Sequence, residues 1–162
     1  MKFIKIIIVI LLFNQLISSC NSGSATGPAG ISSGGKSMLT MKINGREWTA
    51  DNDIYGAFHP KGYDKLILIA GSIGPKNKDE QAFNINIYNT TGPGVYNFKT
   101  GDKDQRIAQL ANLSPENYLY GGILGYDMKV NVTKATSNPT VIEATFEGTL
   151  NGNASDIMKI TD

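Results

Sequence analysis

The chain of 162 residues has one cysteine, one histidine and one tryptophan. A lone cysteine excludes an intrachain disulfide, and with a single histidine the Cys/His sets that hold structural zinc are excluded too. Long apolar runs are missing. The run IIIVILLF at residues 6–13 falls far short of the about 20 residues that a membrane-spanning helix needs. Charge of either sign is not in excess, with 15 Lys+Arg against 14 Asp+Glu and a net +1. Such balance gives no electrostatic case for nucleic acid or an anionic surface. Helical periodicity of any length is absent as well, which excludes bundle and α/β architectures.

What is present begins at the N-terminus. Lys2 and Lys5 precede the apolar run, Asn14 and Gln15 end it, and Leu16-Ile17-Ser18-Ser19-Cys20 follows. This order matches a signal peptide over residues 1–19 that ends in a lipobox. Cys20 is then the lipidation site: its thiol takes a diacylglyceryl group, and the freed α-amine a further acyl chain of the palmitate kind. Two or three chains anchor stably where one does not, since each buried CH₂ contributes about 0.8 kcal/mol. Loss of residues 1–19 removes two lysines and leaves a mature chain of formal charge −1.

Residues 20–37 are Cys20 and a segment rich in Gly, Ser, Ala and Thr (NSGSATGPAGISSGGKS). That composition cannot bury enough surface to offset its ordering entropy, so it reads as a flexible tether with an average reach of about 20–25 Å. The folded domain is expected over residues 38–162.

Period-2 alternation starts there. Leu39, Met41 and Ile43 alternate with Thr40, Lys42 and Asn44, and Asn44-Gly45 is a two-residue hairpin signal. Pairing Ile43 with Arg46 sets Met41 opposite Trp48 and Leu39 opposite Ala50, so turn and pattern agree on a register that buries Trp48. Residues 66–70 (LILIA) form a short apolar run, the pattern of a strand covered on both faces. Phe83, Ile85 and Ile87 alternate with polar residues, as do Met128, Val130 and Val132, then Ile142, Ala144 and Phe146, and finally Met158 and Ile160. Residues 106–113 (RIAQLANL) fit either a short helix or a bulged strand, the strand being preferred. Short strands separated by Gly, Pro, Asn and Asp clusters predict an all-β fold: a single antiparallel meander forming a β-sandwich, with an up-and-down, lipocalin-like barrel as the alternative.

The hairpin MKINGREWTA, the element Gly94-Val95-Tyr96, the strands YDMKVNVTK and ATFEGTL and the closing MKITD together resemble an uncharacterised family of small single-domain Bacteroidetes lipoproteins. The resemblance spans nearly the whole domain. It implies a β-rich fold and a cell-envelope location, and it transfers no catalytic residue.

Candidate chemistry is sparse. His59, in the turn-like stretch FHPKGYD, has no nucleophile motif beside it. Asp51-Asn52-Asp53 and Asp102-Lys103-Asp104 are the densest carboxylate clusters, and both lack the glycine and closing glutamate of a calcium loop, so they read as solvated turn residues. Tyr118, Tyr120 and Tyr126, beside Gly121, Gly122 and Gly125, form the candidate ligand-binding cluster. In an extended segment Tyr118 and Tyr120 share a face and offer a stacking platform. No metal, cofactor or nucleic acid is expected, and no catalytic residue is assigned. The expected function is a lipid-anchored, non-catalytic binding module of the envelope, its partner an envelope protein, a glycan or a small apolar ligand. One alternative is an inhibitor or immunity-type lipoprotein that inserts residues 74–81 (GPKNKDEQ) into an enzyme; the other is a small hydrolase. Asn21 follows Cys20 and residues 21–37 contain no Asp or Glu, which favours the outer membrane facing the periplasm over display at the cell surface.

Overall fold

The structure, a computed structural model, describes residues 37–161. The signal segment, the lipidation site Cys20 and nearly all of the tether lie outside the described residues.

Eleven strands follow one another: β1 (Thr40–Ile43), β2 (Arg46–Thr49), β3 (Asn52–Phe58), β4 (Ile67–Ile73), β5 (Gln81–Ile87), β6 (Gly94–Lys99), β7 (Ile107–Ala111), β8 (Leu119–Gly121), β9 (Tyr126–Ser137), β10 (Thr140–Asn151) and β11 (Ile157–Thr161). A 3₁₀ turn at Gly122–Leu124 is the one helical element among the described residues. No helix there is long and apolar enough to cross a membrane.

The strands form two antiparallel sheets. One holds six strands in the order β2-β1-β11-β10-β9-β6, the other five in the order β3-β4-β5-β7-β8. They pack face to face as a sandwich and do not close into a barrel. β3–β5 and β9–β11 run as meanders, while β6 sits in the six-stranded sheet between neighbours in sequence that belong to the other.

The opening hairpin has the expected register, with Ile43 opposite Arg46 and Met41 opposite Trp48. Asn44 and Gly45 take φ of 48° and 82°, the positive values that a type I′ turn requires. The Asn44 side chain also accepts the Lys159 N–H at 2.8 Å, tying the turn to β11. Inward positions fill the space between sheets: Ile67, Phe83, Ile85, Ile87, Leu110, Met128, Val130, Val132, Leu150, Met158 and Ile160 are all buried. Aromatic rings bridge the two layers. Phe83 stacks on Phe146 at 5.4 Å and meets Trp48 edge-on at 6.3 Å.

The 106–113 segment forms strand β7, with Ala108 and Leu110 inward. Gly94-Val95-Tyr96 opens β6, and the Tyr96 hydroxyl donates to the Gly92 carbonyl four residues upstream. That arrangement matches a tyrosine corner. A bulge between Glu143 and Ala144 bends the β9–β10 hairpin towards β3. Ile142 then packs so closely on Gly56 that a Cβ there would come within 3.2 Å of it.

One expectation is corrected. Only one face of β4 is covered by the core: Ile67 and Ile69 point inward, while Leu68 and Ala70 are half-buried on the outer face of the five-stranded sheet. The apolar run is continuous because the outward Leu68 and Ala70 lie beside uncharged neighbours, Ala57 and Asn86, and Tyr55 and Asn84.

Candidate functional site

Antiparallel pairing places residues directly opposite one another in rows across the sheet. On the outer face of the five-stranded sheet one row is Ala57, Leu68, Asn86 and Ile107. The next is Tyr55, Ala70, Asn84, Gln109 and Gly121. A third is Ser72, Ala82, Ala111 and Leu119. None of these residues is charged. The outer face of the six-stranded sheet is the opposite case, with Lys42, Glu47, Asp127, Lys129, Glu147 and Lys159 all exposed, and Lys129 pairs with Glu147 at 3.2 Å.

Three carboxamides sit at the centre of the uncharged face. Asn84 lies opposite Gln109, and Asn86 lies two residues along the same strand. Asn84 Nδ2 is 3.5 Å from Asn86 Oδ1, at the limit of a hydrogen bond. Several other asparagine side chains are spent on backbone: Asn52 donates to the Gly74 carbonyl, Asn112 to Glu80, Asn151 to Leu124 and Asn153 to Glu116. Asn84, Asn86 and Gln109 have no such duty among the described residues. Gly122, at φ 55°, lets the chain pass Gln109; a Cβ at that position would lie 3.0 Å from Gln109 Oε1.

The tyrosines singled out by sequence are dispersed. Tyr118 precedes β8 and is 58% exposed, whereas Tyr120 turns into the core at 3%. Tyr118 lies just outside the three-residue strand, which begins at Leu119. The Tyr120 hydroxyl donates to Asp156; burial first, and that carboxylate second, push it up to about 12. Tyr126 donates to the Arg106 carbonyl and meets Phe98 edge-on at 5.9 Å. Burial, then the Asp102 charge, raise its hydroxyl above the usual range.

The remaining candidates also have structural partners. His59 is exposed and its ring lies against Phe58, centroids 3.7 Å apart and planes tilted by 40°. Asp102 and Asp104 are not free turn carboxylates: both flank Arg106, at 3.8 and 2.8 Å. Asp51 accepts the Gly74 N–H at 3.2 Å and Asp53 pairs with Lys76 at 2.7 Å, so the acidic triplet pins the start of loop 74–81. Among the described residues no group of three or more His, Cys, Asp or Glu gathers as a metal site. Two open clefts lie elsewhere. One of about 370 Å³ lies between β3 and the bent hairpin, lined by Met38, Ile54, Ile142 and Phe146 among others. The other, of about 720 Å³, is bounded by Trp48, Ile73, Gln81 and Leu113 at one end of the sandwich.

Sequence reasoning missed the amide face because its members come from separate strands. The signal available was the uncharged strand vocabulary of residues 66–73, 82–87 and 107–111. No protein family, no curated protein and no solved structure matches this chain.

Proposed function

We propose that the chain is a lipid-anchored cell-envelope lipoprotein whose sandwich works as a non-catalytic binding module, with the outer face of the five-stranded sheet as its contact surface. The observation that carries this reading is the contrast between the two outer faces, one studded with charge and the other with none in its three central rows, the Glu80 carboxylate reaching only its end, where it accepts from Ser72 at 2.5 Å. Solvent-facing strands of a soluble sandwich ordinarily carry charge, which keeps them soluble and blocks edge and face association. A flat face without it is a surface kept for contact. The lipobox at Cys20 and the tether after it support the anchored location, as does the resemblance to small Bacteroidetes lipoproteins.

A second reading, an inhibitor that presents loop 74–81, draws on the way Asp51, Asn52 and Asp53 hold that loop while its tip stays exposed. Photo-crosslinking separates the two. A benzophenone side chain at Gln109 or Asn84 in the acylated protein is expected to give adducts in native envelopes, while the same group at Lys129 gives none. Adducts confined to Lys78 in the loop would favour the inhibitor, and adducts confined to Lys129 would overturn the face assignment.

A further inference from the structure

We infer that the ligand of this face is a neutral glycan, laid across the carboxamides of Asn84, Asn86 and Gln109; the inference rests on the binding-face reading above. Each primary amide offers two donors and a two-lone-pair acceptor. A sugar hydroxyl both donates and accepts, so amides match it in either sense without placing a charge against it. These amides have open hydrogen-bonding capacity: among the described residues Gln109 has no side-chain partner, and Asn84 and Asn86 share only a 3.5 Å contact.

Other partners fit less well. An anionic polymer would be desolvated here with no cation to receive it, and a membrane surface calls for basic groups that the three rows lack. Protein interfaces concentrate their energy in large anchors seated in pockets, whereas Ala70, Ala82 and Ala111 leave this surface low and flat. A polysaccharide strand is suited to a flat bed. The row Tyr55–Ala70–Asn84–Gln109 crosses four strands, about 14 Å at the usual strand spacing, which is long enough for a short run of sugar rings. Tyr55 ends that row with a ring that offers an apolar body and a polar tip.

The test is titration of the full-length acylated protein, in detergent micelles, with soluble neutral glucan, mannan, xylan and galactan oligosaccharides, with polygalacturonate as the anionic control. At least one neutral series is expected to bind, with an affinity unchanged between about 50 and about 500 mM salt. Asn84→Ala and Gln109→Ala are each expected to weaken it about tenfold. Lys129→Ala on the opposite face leaves it unchanged. Gln109→Glu keeps the shape and changes only the amide chemistry, and is also expected to weaken binding; Asn84→Thr stands in if the alanine variant loses its thermal transition. Failure of every neutral series to bind, binding indifferent to the Asn84 and Gln109 variants, or a salt-sensitive preference for polygalacturonate would each overturn the inference. If no glycan binds while Gln109 still gives envelope crosslinks to a protein, the glycan assignment alone falls. Absence of both removes the binding-face reading with it.

Discussion

Trp48 is 5% exposed, opposite Met41, with its ring edge on Phe83 and its Nε1–H donating to Gln81 at 3.0 Å. Trp48→Ala is therefore expected to destabilise the domain by about 3–5 kcal/mol, the usual range for a lost core aromatic. Urea unfolding of the variant measures it, and blue-shifted, poorly quenched fluorescence of the native protein checks the burial. This residue was legible in sequence because its partner is set by a nearby turn whose two positive φ values Asn-Gly readily supplies. Tyr120 was not. Its hydroxyl is pushed up to about 12 by burial, with Asp156 adding to the shift. The folded state thus favours the neutral phenol. The associated stability is fully present below the ordinary tyrosine value near 10 and is lost as pH rises through about 12. Melting temperature should fall more steeply across that window in the wild type than in Tyr120→Phe. Equal slopes would show that the hydroxyl titrates as in the unfolded chain.

At the scale of elements, the connection between β6 and β7 carries the chain from one sheet to the other. Arg106 closes it: Nη2 lies 2.8 Å from Asp104, Nε donates to the Tyr88 carbonyl at 3.4 Å, and the guanidinium sits 5.6 Å from the centre of the Tyr96 ring. Arg106→Met retains the apolar stem but leaves two carboxylates without their cation. The expected cost is about 1–3 kcal/mol, less than for a fully buried pair because these side chains keep some contact with water. Adding Asp102→Asn and Asp104→Asn should recover part of it, and chemical denaturation of the single and combined variants checks the coupling. Sequence reasoning saw the acidic pair and the strand after it separately. The arginine between them could not be assigned, because a salt bridge depends on where a loop folds back and leaves no period in the sequence.

For the whole molecule, intact-mass spectrometry of membrane-extracted protein is expected to give a chain beginning at Cys20 with at least two acyl groups. An unmodified thiol there would remove the anchor. The absence of Asp and Glu from residues 21–37 leads to the expectation that the domain faces the periplasm, so protease treatment of intact cells is expected to leave it uncut. Loss of the domain without lysis would place it at the surface. By itself the sequence determined the all-β class, the hairpin register and the inward faces of β1, β2, β5, β9, β10 and β11. These rest on local rules: a turn fixes its own dihedrals, and alternation assigns each side chain to a face. Tertiary structure alone decided that the sheets stay open as a sandwich, that β6 joins the six-stranded sheet, that Tyr118 and Tyr120 part company, and that Asn84 meets Gln109. Each of these depends on which distant strands become neighbours, and such pairings are chosen by the packing of the whole core, not by any residue's own preference.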